Sequence, residues 1–326
     1  MVQARGGAPI LLWTRGKTGL AEPLSRDILA RAHPLWADDL ERFGPWAGAH
    51  GLPQEFNGAE QSLSHGGPEP VVICGTCASV LDVARFLCHI GVLSAWGSTL
   101  GLAQTSGRGQ LRRAWFSPPG NVHAALVLPL WENEMGPRDG RVPRTFPPEM
   151  TPLVIGLALA ESLRQAGVSV RVKWPNDLVA GGRKVGGILV EERAGTVVAG
   201  IGLNLAGAPP REALRDDWAV PAGTLELPGQ GPLSLWSGLA AGCRALIEDV
   251  YVSLAPEELA ARIEQQLLWM GRRVRVSDHG GCGDCGEQEA GRLEGKMVGI
   301  APNGELKLRV GNKEIRLHSG SVRPLE

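Results

Sequence analysis

Residues Arg171–Glu192 read RVKWPNDLVAGGRKVGGILVEE, and the rest of the chain is read outward from them. Val168, Val170 and Val172 alternate with polar neighbours, the period-two mark of a half-buried strand. Pro175 has no amide donor and Asn176 tolerates turn geometry, so that strand stops there. Gly181-Gly182 permits a tight reversal, and Lys184–Glu192 returns as a second strand. The reading is a β-hairpin with Lys173 at the end of its first strand, beside Trp174. Composition gives that lysine weight. Only six of the 33 basic residues are lysines, and two of them, Lys173 and Lys184, fall in this segment. A merely solvated hairpin cation has no need to differ from the arginines used elsewhere. An ammonium and a guanidinium are not interchangeable in a tight site.

Upstream, Thr99–Ala103 reads as a strand feeding the loop Gln104–Ala114, QTSGRGQLRRA. Gly107 and Gly109 remove side chains, so backbone N–H groups can approach an anion closely. Arg108, Arg112 and Arg113 add positive charge. A solvated basic loop would look the same if it stood alone, but Trp115-Phe116-Ser117-Pro118 follows it in order. Ser79, with Asp82 three residues on, has a capping-box pattern, and Val83, Phe86, Leu87 and Ile90 continue it as an apolar helical face. Downstream, Thr196–Leu205 reads as a strand, with Asn204 near its end a plain turn residue or a polar contact.

The 326 residues suffice for one large domain and one or two small ones. A net charge of −1 gives no reason to expect nucleic-acid binding. The longest apolar runs are too short to span a bilayer, and Ala8–Trp13 is too short for a signal-peptide core, so a cytoplasmic protein without a membrane partner is expected. Ser25 caps a helix running towards Leu40 that Pro34 interrupts, and Gly44–Pro70 reads as loop or linker. A core helix starts at Thr151-Pro152 and ends at Gly167. Two more helices carry Leu235, Leu239, Cys243 and Leu246, then Leu259, Ile263 and Leu267 behind Pro256. From Arg272 the pattern turns to short strands, with Asn303-Gly304 and Gly311-Asn312 as hairpin turns.

KWPNDLVAGGRKVGGILVE, residues 173–191, resembles the central motif of the biotin protein ligases. The Gln104–Pro118 block is similar to that family's glycine–arginine loop, and Gly200–Leu205, GIGLNL, to its GIGIN strand. The three blocks come in the family's order and span about Val71 to the C-terminus. The resemblance implies an α+β fold: a mixed β-sheet catalytic domain flanked by helices, class II synthetase-like, then a small SH3-like β-barrel. It divides the chain into an extension over 1–70, a ligase-like catalytic domain over 71–270 and the SH3-like domain over 271–326. Some members carry an N-terminal DNA-binding winged helix. The first seventy residues have few basic residues and are broken by Pro and Gly, so neither a recognition helix nor a repressor role is expected.

The activity implied is a biotin–protein ligase: ATP activates biotin to biotinyl-5′-AMP, and a lysine of a biotin carboxyl carrier protein or domain then takes the biotin. Lys173 would bridge the biotin carboxylate and the α-phosphate while Arg108 closes the loop, and these two are the catalytic candidates. Ser79, Val80 and Leu81 would line the biotin pocket. Gln104, Gly107, Gly109, Gln110, Trp115 and Gly187 would complete the substrate site. Arg112, Arg113, Asn176, Asp177 and Asn204 would face ATP, with Mg²⁺-linked contacts at Asn176 and Asp177. The family often forms homodimers through sheet edges. Four positions depart from its pattern: Val80 and Leu81 replace polar residues, Gln110 replaces the second loop arginine, and Arg112 replaces a glycine. They keep open a lipoate- or octanoate-type acyl ligase, or a ligand-binding relative with impaired catalysis. His279, Cys282 and Cys285 have zinc-ligand spacing, with Cys74 and Cys77 as a second pair. The family pattern has no such metal, so none is assigned.

Overall fold

The computed structural model describes residues 8–15, 19–56, 58–67, 69–110, 113–132, 142–143, 146–213, 220–277 and 292–325. The chain begins with β1 (Ala8–Trp13), α1 (Arg26–Ala32), α2 (Pro34–Arg42), β2 (Trp46–Gly48) and β3 (Ala59–Gly67). Next come β4 (Val71–Cys74), α3 (Val80–His89), β5 (Ser98–Gly101), β6 (Val122–Leu128) and the short pair β7 (Trp131–Glu132) and β8 (Val142–Pro143). Then follow α4 (Thr151–Gln165), β9 (Arg171–Lys173), β10 (Asp177–Ala180), β11 (Arg183–Arg193), β12 (Thr196–Leu203), α5 (Pro232–Asp249) and α6 (Pro256–Gln266). The last five strands are β13 (Arg273–Ser277), β14 (Arg292–Ile300), β15 (Leu306–Val310), β16 (Lys313–Leu317) and β17 (Ser321–Pro324).

Ten strands form one mixed sheet in the order β2-β3-β1-β4-β5-β6-β12-β11-β10-β9. The β1–β4 and β4–β5 pairs are parallel and the others antiparallel. Helix α3 covers one face through Val80, Val83, Ala84 and Leu87; α4 and α5 cover the other. The α4 stripe of Leu153, Leu157, Ala160 and Leu163 is core, as its spacing predicts. A separate antiparallel sheet, order β16-β15-β14-β13-β17, makes the C-terminal unit, in keeping with the SH3-like expectation. It joins the large sheet beside Lys173, where Trp174 Nε1 donates to Gly304 O at 3.0 Å. No helix among the described residues is long and apolar enough to cross a membrane.

Three readings change. The central segment has three strands, because Trp174-Pro175-Asn176 is itself a turn that pairs Asp177 with Lys173. The Gly181-Gly182 reversal does form, with φ of +55° and +73°. Residues 44–70 are not a linker: β2 and β3 extend the main sheet, and β1 slots between β3 and β4. Pro34 opens a second helix instead of interrupting one, and the Asp39 carboxylate of that helix accepts from Leu233 N and Ser234 N at the start of α5. His279, Cys282 and Cys285 lie outside the described residues, whereas Cys74 and Cys77 are buried free thiols.

Candidate active site

The β9–β10 turn puts Lys173 and Asp177 on adjacent antiparallel positions, and Lys184 enters from β11. Lys173 Nζ lies 3.0 Å from Asp177 Oδ2, and Lys184 Nζ lies 2.6 Å from Asp177 Oδ1. Burial works to raise the Asp177 pKa. The charges and hydrogen bonds of Lys184 and Lys173 outweigh it and hold the carboxyl below its ordinary value. The two ammoniums and one carboxylate carry a net charge of about +1 in a low-dielectric wall. Lys173 is only 7% exposed, and it borders a cavity of about 950 Å³.

That cavity gathers most of the residues expected from sequence. Ser79, Val80, Leu81, Gln104 and Arg108 border it, as do Gly109, Gln110, Arg113 and Trp115. Asn176, Asp177, Gly187 and Asn204 complete the wall beside Lys173. Gly107 does not reach it: a Cβ there would stand 2.7 Å from Ser117 Oγ, so this glycine serves the packing of the loop. Arg112 lies outside the described residues. Gln104 is spent inside the protein, its Oε1 accepting from Val80 N at 3.0 Å and its Nε2 donating to Ser117 Oγ at 2.9 Å. Asn176 likewise donates from Nδ2 to Ile188 O at 2.6 Å.

Ser79 stands at the N-cap of α3, yet its hydroxyl caps nothing. Asp82 does not complete a capping box either, because arginines claim its carboxylate. Arg108 Nη2 lies 2.9 Å and Arg85 Nη1 3.2 Å from Asp82 Oδ1. Both arginines also reach Glu191, at 3.6 Å from Arg108 Nε and 2.6 Å from Arg85 Nη2. Three buried polar atoms on cavity-lining residues lack a hydrogen-bond partner in the protein: Ser79 Oγ, Trp115 Nε1 and Asn204 Oδ1. Buried polar atoms are seldom left so, and all three belong to residues of the cavity wall.

Residues beyond the expected site set also build the site. Lys184 lies 5.3 Å from the Trp115 ring centroid while pairing with Asp177. The scarcity of lysine was the available signal for it. Asn121 Oδ1 accepts from Leu205 N at 2.9 Å, Ala206 N at 2.8 Å and Gly207 N at 3.0 Å, and so fixes the loop after Asn204. Ser319, Gly320 and Ser321 of the small sheet close one side of the cavity.

Comparison with known proteins leads to the same place. A profile of the biotin/lipoate A/B protein ligase family matches residues 94–207. The chain is 30% identical over 227 residues to the biotin–[acetyl-CoA-carboxylase] ligase of Mycobacterium tuberculosis, covering 67% of this chain and 75% of that protein. This chain belongs to the biotin protein ligase family. Its match to the Escherichia coli bifunctional ligase/repressor BirA is 39% identical over 125 residues, 36% of each chain. Across the first curated relatives it spans about a third to a half of their length. Among solved structures, the biotin protein ligase from Aquifex aeolicus in complex with biotin and ATP superposes with a TM-score of 0.58 at 23% identity, covering 78% of this chain and 99% of that one. That likeness shows the shared fold. In this chain the three motif blocks, separate in sequence, meet at a single cavity.

Proposed function

We propose that the protein activates biotin with ATP to biotinyl-5′-AMP and passes the biotin to a lysine of a biotin carboxyl carrier protein or domain. The observation that carries this reading is the Lys173 ammonium, almost fully buried in the cavity wall beneath the glycine–arginine loop. Two anions must meet in the first step. The biotin carboxylate attacks the α-phosphorus and pyrophosphate leaves. Fixed positive charge at that point lowers the repulsion and stabilises the charge that develops. In the second step the carrier amine attacks the acyl carbon, an amide forms and AMP leaves. Asp177 holds both lysines in place throughout, and Arg108 closes the loop above them. Arg113 and Asn204 face the nucleotide in this scheme, with Ser79 and Trp115 lining the same cavity.

Mg²⁺ finds no cradle among the described residues. Ammoniums occupy both oxygens of Asp177, and no three His, Cys, Asp or Glu side chains converge. No step runs through it. The mechanism uses residues of one chain and needs neither a second copy nor nucleic acid. ATP as co-substrate and reduced thiols at Cys74, Cys77, Cys88 and Cys243 support a cytoplasmic setting.

One observation favours a second acyl group. The acyl end of the cavity presents Val80 and Leu81, and the Gln104 amide beside them is already spent. A cyclic urea brings two N–H donors and a carbonyl, which are costly to bury without partners. A lipoyl or octanoyl chain brings none. One set of assays separates the readings: pyrophosphate release with ATP and biotin, lipoate or octanoate, then avidin blotting of a carrier domain. Biotin is expected to support both steps. Lys173→Ala is expected to stay folded by circular dichroism and to lose about a hundred-fold or more in turnover. Near-normal biotinylation by that variant would refute the assignment.

A further inference from the structure

We propose that Asp39 and Arg42 of α2 are positioning residues for the nucleotide end of the reactant cavity, because they grip the far end of the segment that backs Asn204 and Lys184. The inference rests on the ligase reading above, which places ATP at Asn204. It gives the N-terminal unit, residues 8–67, a part in the reaction, although none of its described residues borders the cavity.

The segment is residues 220–231, which lead into α5. Val220 and Ala222 border the cavity. The backbone here is laid against the site. Lys184 N donates to Pro221 O at 2.7 Å, Gly223 N to Lys184 O at 2.9 Å and Leu225 N to Asn204 O at 2.8 Å. The Asn204 side chain joins them, its Nδ2 donating to Gly223 O at 3.0 Å. Residues 220–231 have no helix or strand of their own to hold their shape. Where their far end is fixed therefore decides how they lie on the site.

That end is fixed from another helix. The N-cap of α5 is Gly231, which has no side chain to cap with, and Pro232 follows it. A capping side chain ordinarily accepts from the second or third N–H group of its helix. Asp39 does so from α2, its Oδ2 accepting from Leu233 N at 2.7 Å and its Oδ1 from Ser234 N at 3.2 Å. Its negative charge also suits the positive end of the α5 dipole. The fit is close: a Cβ on Gly231 would run into the Asp39 carboxylate and Leu35 O. Arg42 adds a second hold, donating from Nη1 to Ser234 Oγ at 3.2 Å and from Nη2 to Gly229 O at 3.0 Å. Covering the core needs only an apolar face, which Trp36 supplies. A buried carboxylate is costly to desolvate, and Asp39 is 1% exposed. Its bonds fix where α5 begins.

The other end of α2 reaches the loop on the opposite side of Asn204. His33 caps α2, Nδ1 accepting from Leu35 N at 3.2 Å. A Cβ on Gly120 would stand 2.7 Å from both His33 Cγ and Ala206 Cβ. Gly120 is thus pinched between the His33 ring and the chain just after Asn204. One helix braces both segments that flank this asparagine.

The test compares the wild type with Asp39→Ala, Asp39→Asn and Arg42→Ala in the full chain, on protein that circular dichroism shows to be folded. Pyrophosphate exchange gives kcat and the KM for ATP and for the supporting acid (biotin, lipoate or octanoate), each with the other reactant saturating. Asp39→Ala is expected to raise the KM for ATP about three- to ten-fold and to leave the KM for the acid within about two-fold. The change in kcat should be smaller than that in the KM for ATP. Asp39→Asn keeps one carbonyl acceptor for two N–H groups and should fall between Asp39→Ala and the wild type. A role confined to stability lowers the melting temperature and the folded fraction without separating the two KM values. An unchanged KM for ATP in the folded variants, or equal rises for ATP and the acid, would overturn the proposal. If Asp39→Ala does not fold, Asp39→Asn and Arg42→Ala carry the same comparison, with a rise of about two- to five-fold for ATP alone. Absence of exchange with all three acids in the wild type would instead remove the ligase reading, and this proposal with it.

Discussion

Gly202 faces Gly187 across β11 and β12, and the indole of Trp115 lies against the patch of bare backbone that the pair creates. A Cβ at Gly202 would run into indole Nε1 and Cε2, whereas one at Gly187 would stand 3.1 Å from Cζ3. The two glycines are thus unequal. Gly202→Ala must push Trp115 off its seat and disturb the Lys184 contact on its ring. We expect a stability loss of ~1–3 kcal/mol and, on the proposed ligase reading, a clear rise in the KM for ATP or biotin. Gly187→Ala needs a shift of a few tenths of an ångström and should change KM far less. Thermal melts and ligand titrations of the two variants check this order.

Asp177→Asn should be costly, because it leaves two ammoniums beside a neutral amide. Breaking a buried pair in this way costs about 3–5 kcal/mol. Lys184 is partly exposed and should keep the loss near the lower figure. The pH dependence has a definite sign. The folded pKa of Asp177 is depressed, so its contribution is fully present above the ordinary carboxylate pKa of about 3.9. It is lost as pH falls through the lower folded value. The gap between wild type and variant in urea unfolding should therefore be widest near neutrality and shrink in acid. A gap that grows on acidification contradicts the pairing.

How much of this was legible in sequence depends on whether the signal was local. Lys173 announced itself by rarity and by the turn that follows it. The starts of α4 and α6 were marked by Pro152 and Pro256 at first-turn positions. β1 was not legible, because it pairs in parallel with a strand sixty residues on and its apolar run has no period-two alternation. β3 was hidden by Gly and Ser in a strand near the sheet edge, where burial on one side suffices. Arg85 and Glu191 look like ordinary surface charges, and only the packing of α3 beside β11 makes them partners. Gly107 is ambiguous for a related reason. A glycine needed for loop packing and a glycine needed for ligand approach read alike.

His123 is buried on β6, with Nε2 2.9 Å from Pro118 O and no partner for Nδ1. Burial pushes its pKa down to about 4, against a weaker opposing pull from the Pro118 carbonyl. The unfolded chain takes up a proton near pH 6.5, where the folded protein does not. Stability should therefore rise with pH between about 4 and 6.5, by up to ~3 kcal/mol across the window. The check is the pH profile of thermal unfolding. His123→Gln should flatten the slope in that interval, and an equally steep profile in the variant assigns the slope to other groups.

Asn121 supports the site without bordering the cavity. Its Oδ1 accepts from three successive N–H groups, at Leu205, Ala206 and Gly207, and its Nδ2 donates to Gly207 O at 2.7 Å. These bonds set the chain's exit from β12 immediately after Asn204, whose Nδ2 donates to Gly223 O and whose Oδ1 is left free beside the cavity. Asn121→Ala strands three donors, two of them in partly buried positions, and each unsatisfied buried group costs about 1–3 kcal/mol. Water can reach Ala206 and Gly207, so the expected loss is ~3 kcal/mol rather than the full sum. On the proposed ligase reading, the functional effect should appear in the KM for ATP more than in kcat, because the loop positions Asn204 and does not touch Lys173. Asn121→Asp keeps the acceptor that serves all three N–H groups and should recover most of the stability and the KM. An Asp variant as impaired as the Ala variant would shift the role of Asn121 to its single donated bond.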